Sequence, residues 1–197
     1  MKNIKTLVPD IYALFEKNIV FDKEAVTEFG RALGEKLANR MSEERGKPSL
    51  RLSNLGTPCR RKLWYSINTP KLGESLPPAT RLKFLFGDIL EELLLFLARA
   101  AGHTVVDEQK TVEINGVQGH IDAMVDGELV DCKSASTFSF NKFKSHGLAD
   151  DDAFGYLTQG DAYATAVNSP RFHFLAIDKT LGHVALDTWE TGRADHN

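Results

Sequence analysis

The spacing of apolar positions changes along the chain, and the changes mark its elements. Ala25, Phe29, Leu33 and Leu37 recur at helical spacing behind Asp22, a residue type that caps helices. A helix is predicted from there to the polar stretch at residues 42–48. Pro58 is read as opening a short helix that carries Arg60, Arg61, Lys62, Leu63, Trp64 and Tyr65. Residues 68–78, with three prolines and Gly73, read as a loop. A long helix then covers residues 80–101, with Gly102 as its stop.

Beyond Gly102 the apolar positions alternate. Asn115-Gly116 and Asp126-Gly127 are the dipeptides preferred by two-residue type I′ hairpin turns. Three strands at residues 104–114, 117–125 and 128–134 are therefore expected to form an antiparallel meander. A helix at 152–167 and strands at 171–177 and 183–189 complete the pattern. Helix, three strands, helix and two strands make an α/β layered core, expected as one compact unit over residues 80–197 behind an N-terminal helical, basic extension at 1–79.

Composition narrows the classes. With 197 residues, 42% hydrophobic and 26% charged, the chain can bury a core and is unlike disordered or disulfide-stapled sequences. Cys59 and Cys132 are too few for a zinc finger or a disulfide framework of their own and suit a reducing, cytoplasmic address, a phage-encoded protein included. Pro9 and Asp10 interrupt the apolar residues of the N-terminus, and the apolar run at 93–98 is far shorter than a membrane span, so no membrane partner is expected. The net charge of -3 is unevenly spread: residues 40–83 hold ten Lys/Arg against three Asp/Glu, and residues 84–197 hold eight against eighteen. A basic segment beside an acidic half suits a protein that grips a polyanion with one part and uses carboxylates in the other.

The Asp126-Gly127 turn fixes a register. If Val125 pairs with Glu128, Asp122 lies opposite Asp131 and His120 opposite Lys133, with Asp131 and Lys133 on one face. Like charges placed directly opposite each other destabilise a sheet, and a divalent cation such as Mg²⁺ or Mn²⁺ would compensate them. Val112, Ile114, Val117, Ile121, Ala123, Val125, Val130 and Cys132 fall on the other, core-facing side. An acid-x-Lys triplet alone says little, since about two are expected by chance. Two occur, Asp131-Cys132-Lys133 and Glu108-Gln109-Lys110. Only the first has an acidic partner on its own face; the second serves as an internal control. On the long helix, Glu91 has mostly apolar neighbours one and two turns away and is expected to face inward, while Glu92 is assigned to the surface beside Arg99.

Taken in order, Gly87-Asp-Ile-Leu-Glu91, Gly119-His-Ile-Asp122, Asp131-Cys-Lys133 and Gln159-Gly-Asp-Ala-Tyr163 resemble the motifs of the PD-(D/E)XK nuclease superfamily. The last is similar to the Gln-x-x-x-Tyr motif of its RecB-type branch, which includes phage and genome-maintenance exonucleases. The segment Cys59-Arg-Arg-Lys-Leu-Trp-Tyr65 is similar to an upstream helix of that family. The resemblance implies a restriction-endonuclease-like core with a central mixed sheet. It also implies that Glu91, Asp122, Asp131 and the backbone carbonyl of Cys132 bind Mg²⁺ or Mn²⁺. Lys133 would orient or activate water and stabilise negative charge, and Gln159 and Tyr163 would line the site and touch the DNA strand. Many members carry His where this chain has Glu91. Some hold an iron–sulfur cluster on a cysteine like Cys59 plus three near the C-terminus; this chain lacks that trio, so no cluster is expected.

The reading is a metal-dependent DNA nuclease, an exonuclease by analogy, acting in DNA processing, repair or recombination. Arg60, Arg61, Lys62, Arg81 and Lys83 would grip the DNA backbone. Trp64 and Tyr65 suit either base stacking or core packing. The resemblance leaves room for a homo-oligomer or a recombination partner protein. Two alternatives stay open: a catalytically silent nucleic-acid-binding module of the same fold, and a hydrolase of small phosphoesters.

Overall fold

Alternation along one central strand organises the molecule. In the computed structural model, which describes residues 2–16, 20–42, 48–69 and 77–192, that strand is β5 (Glu128–Ala135), with its neighbours β4 (Ala123–Val125) and β6 (Arg171–Asp178) on either side. Strand β1 (Val105–Val106) lies beyond β4, and β7 (Val184–Glu190) beyond β6. The β5/β6 pairing is parallel and the other three are antiparallel, so the sheet is mixed. Val130, Leu175 and Ile177 point to one face and Leu129, Phe174 and Ala176 to the other, each in its own buried cluster.

Two helices cover the first face: α1 (Leu7–Glu16) and α4 (Pro78–Ala100). Ile4, Leu7, Ile11 and Leu14 share a cluster with Leu94, Leu95 and Ala98. Pro9 does not interrupt α1, because it sits in the first turn, where no intrahelical N–H is needed. Helix α4 starts with Pro78 in its first turn and ends at Gly102 (φ +87°), where His103 N–H donates to the Ala98 carbonyl and Gly102 N–H to that of Arg99. Across α4 lies α2 (Lys23–Ser42), opened by a hydrogen bond from Ala25 N–H to the Asp22 carboxylate (2.8 Å). The second face is covered by α5 (Thr137–Lys144) and α6 (Tyr156–Ala166). The sequence reading omitted α5, which lies in the β5-to-β6 crossover that a parallel pair requires. Helix α6 begins later than residue 152; Asp152 instead caps it from outside, accepting from Tyr156 and Leu157 N–H at 2.8 Å each. Helix α3 (Arg60–Asn68) likewise starts after Pro58, with the Cys59 thiol accepting from Lys62 N–H. None of its residues is buried.

The meander departs from expectation at its middle. The two long strands are each broken, so that β2 (Thr111–Ile114) and β3 (Val117–His120) form a separate two-stranded sheet. The Asn115-Gly116 register holds there, with Ile114 opposite Val117, and reaches the bond from Gln109 N–H to the Asp122 carbonyl. It then slips by one residue, since Val106 pairs with Met124. Asp107 (φ +57°) and Gln109 (φ +52°) absorb the slip as a bulge-like kink. The kink corrects two expectations. Val112, Ile114, Val117 and Ile121 pack on the second face while Ala123, Val125, Val130 and Cys132 pack on the first, and the β4/β5 ladder ends at Ala123 opposite Val130, so His120, paired with Thr111, has no ladder partner at Lys133. The predicted loop at 68–78 falls largely outside the described residues, as does most of the polar stretch at 42–48. Among the described residues no helix is long and apolar enough to cross a membrane.

Candidate active site

The Asp126-Gly127 turn produces the expected register, with Val125 opposite Glu128 and Ala123 opposite Val130. The ladder ends there, one step short of the two acids. At that step the Asp122 carboxylate turns inward and accepts the Cys132 N–H at 2.7 Å. A side-chain oxygen thus satisfies an amide of the central strand that pairing with β4 does not reach. Burial, then the charges of Asp131 and Glu91, hold the Asp122 carboxyl well above the usual range.

Asp131 and Lys133 project together from the second face and form an ion pair. Asp131 Oδ2 is buried and has no polar partner beyond that ammonium. The Lys133 ammonium also lies 5.0 Å from the Tyr156 ring centre and 5.7 Å from that of Phe174. Burial opposes its charge, but Asp131 and Asp122 outweigh burial and raise its pKa, so Lys133 is an ammonium at neutral pH. Burial, then the charges of Asp122, Glu91 and Asp131, push the Cys132 thiol well up, which makes it inert as a nucleophile.

Glu91 arrives from α4, on the first face. Its Oε1 accepts from Lys36 Nζ (2.8 Å) and Gln109 Nε2 (2.7 Å). Burial raises its pKa, and those two donors pull the other way. The assignment of Glu92 to solvent needs correction: it is 4% exposed, more buried than Glu91, and held by Lys36 (3.2 Å) and Arg99 (3.3 Å). The Arg99 contact follows from the helical period; Lys36, which comes from α2, does not. Lys36 and Gln109 had no sequence signal as site residues.

Among the described residues no three acidic, histidine or cysteine side chains lie close enough to make a ready metal-ligand group. The carboxylates are near enough to shift one another's protonation, yet each has a protein donor: Asp122 the Cys132 amide, Asp131 Lys133, and Glu91 Lys36 and Gln109. Their oxygen chemistry fits a hard divalent cation, and Asp131 Oδ2, whose one partner is the Lys133 ammonium, keeps a lone pair for it. A cleft of about 380 Å³ opens between α2 and α4, lined by Phe29, Phe96, Glu92 and Arg99, but Asp122, Asp131 and Lys133 do not line it.

Tyr163 is buried on α6. Its hydroxyl engages the His120 backbone, and burial plus the charges of Asp131 and Asp122 raise its pKa. Its ring explains Gly119, where a Cβ would fall 2.7 Å from Tyr163 Cε1 and 2.8 Å from Leu52 Cβ. Gln159, one turn earlier, is half-buried. Arg60, Arg61, Lys62, Arg81 and Lys83 are exposed, and none makes an ion pair among the described residues. Arg61 lies over the Tyr65 ring at 5.7 Å, and Trp64 and Tyr65 meet edge to face, both exposed.

No protein-family model matches the chain, and no curated protein sequence matches it. Solved structures do. SSO0001 aligns with a TM-score of 0.49 at 16% identity, over 84% of this chain and 78% of its own. The alkaline exonuclease LHK-Exo from Laribacter hongkongensis, in complex with dAMP, aligns with a TM-score of 0.50 at 14% identity, over 84% of this chain and 82% of its own. At such identity the likeness concerns the fold. The chain shares with that exonuclease a central mixed sheet flanked by helices, the restriction-endonuclease-like core.

Proposed function

We propose that the protein is a metal-dependent DNA nuclease of the PD-(D/E)XK superfamily, of its RecB-type branch, and that it works as an exonuclease on DNA ends during repair or recombination. One observation carries this reading. Asp122, Asp131 and Lys133 meet where β4 leaves β5, with Glu91 close enough to raise the Asp122 pKa. The shared fold with an alkaline exonuclease supports it, as does the dAMP that enzyme was crystallised with.

Glu91, Asp122, Asp131 and the Cys132 carbonyl would hold Mg²⁺ or Mn²⁺. Such an ion, when bound, supplies a Lewis acid and an acidified water. Lys133 would orient or help activate the attacking water and donate to the phosphate oxygens as charge builds on them. Tyr163 would fix the hairpin that leads into Asp122, and Gln159, one turn earlier on the same helix, would touch the DNA strand. Arg60, Arg61, Lys62, Arg81 and Lys83 give the polyanion a grip that the acidic site cannot. Trp64 and Tyr65, exposed beside them, offer surfaces on which unpaired bases stack.

The test uses linear and covalently closed circular DNA with Mg²⁺, Mn²⁺ or EDTA. Loss of the linear substrate alone, only with a cation, is expected. Cleavage of both substrates would make it an endonuclease. Tight DNA binding with no cleavage under any cation would leave the silent binding module, a reading favoured by Lys36 already neutralising Glu91.

A further inference from the structure

Gln109 is the middle residue of the control triplet, and it does something its flanking charges do not. It stands in the kink between β1 and β2, with φ +52°, a left-handed conformation that residues bearing a Cβ seldom adopt. Glycine would suit that backbone better. The side chain present there reaches α4, where Nε2 donates to Glu91 Oε1 at 2.7 Å. The backbone N–H of the same residue donates to the Asp122 carbonyl at 3.2 Å. One residue therefore links the Glu91 carboxylate on α4 to the backbone of Asp122.

Lys36 reaches the same oxygen of Glu91 at 2.8 Å, but the two donors are not equivalent. The Lys36 ammonium cancels the carboxylate charge and so competes with any cation. The Gln109 amide is neutral; it can fix the carboxylate's direction while leaving its full charge for a ligand. Both contacts fall on Oε1.

We propose that Gln109 is a positioning residue, which holds the Glu91 carboxylate in register with Asp122 for the binding of a divalent cation. This rests on the metal-dependent reading of the site. A residue with a side chain, rather than glycine, stands at this left-handed position, and its amide reaches α4.

The decisive variant is Gln109→Gly, which relaxes the backbone and deletes the amide; Gln109→Met keeps the bulk and loses only the donor. Free Mn²⁺ is followed by electron paramagnetic resonance in the absence of DNA. Both variants are expected to bind Mn²⁺ about tenfold more weakly, the low end for an outer-shell partner because Gln109 is exposed. The urea midpoint of Gln109→Gly should stay level or rise. On linear DNA, kcat should fall with KM unchanged. A merely structural role would lower the midpoint and spare the affinity. Wild-type Mn²⁺ affinity in both variants overturns the proposal. A metal-free double-mutant cycle of Gln109→Met with Glu91→Gln, read from urea midpoints, tests the contact itself: non-additivity supports it and additivity refutes it. A wild-type protein that binds no Mn²⁺ but shows a non-additive cycle overturns the metal reading, and with it the purpose assigned to Gln109, while the contact stands.

Discussion

Asp131-Cys132-Lys133 and Glu108-Gln109-Lys110 have the same residue pattern and opposite fates. In the first, acid and amine pair with each other, with side chains 14% and 16% exposed, on the central strand. In the second, the two ends part: Glu108 pairs with Arg99 at 2.5 Å and Lys110 with Asp107 at 2.9 Å, both in the open. The middle residues invert the ranking. Cys132 meets the candidate site through its backbone while its partly buried thiol packs in the core, whereas Gln109 sends its side chain to the site. A spacing motif therefore acquires chemistry from burial and from what its neighbours bring, because electrostatic interactions strengthen as water is excluded.

The difference is broken most strongly at the buried triplet. Asp131→Asn and Lys133→Ala are each expected to lower DNA cleavage at least about 10³-fold, with the circular dichroism spectrum and DNA affinity retained. Full activity in either variant would falsify the site assignment. Next comes the hairpin that leads into Asp122. Gly119→Ala forces a Cβ into Tyr163 and Leu52, and should cost about 1–3 kcal/mol in urea unfolding. An unchanged midpoint would show that Tyr163 does not pin the hairpin.

Asp122 allows a subtler test, on stability rather than rate. Its raised pKa means the folded state keeps the proton to higher pH than the unfolded chain. Stability therefore falls as pH climbs from the ordinary value of 3.8 through the raised one. Asp122→Asn removes that loss while its amide oxygen can still accept from Cys132. In EDTA its urea midpoint should exceed that of the wild type at about pH 8, and the gap should close toward about pH 3. A lower midpoint at the higher pH would contradict the assigned burial. The smallest effect belongs to the exposed triplet: Glu108→Gln should change stability by no more than about 0.5 kcal/mol and leave cleavage as in the wild type.

Much of the architecture was legible because its cues are local. Asp22 caps α2, Gly102 stops α4, and the two hairpin dipeptides set registers that the structure reproduces up to the kink. Helices α1 and α5 were not placed: both are short, ten and eight residues, with too few turns to show a clear period. The strand breaks were missed because residues 107–110 carry no Gly or Pro to announce positive φ. The acids were found through register and order, but their partners were not. Lys36 lies 55 residues from Glu91, a distance no periodicity spans.

The sequence alone determined the local elements, the α/β class, and the placing of Asp131 and Lys133 on one face of a strand, since turn chemistry and the period-two pleat act between near neighbours. Tertiary structure decided the rest. It set which acid of the Glu91-Glu92 pair is the more buried, which cations neutralise them, and that a glutamine in a kinked connection reaches α4. Those outcomes depend on burial and on contacts between distant segments, and both exist only once the chain has packed.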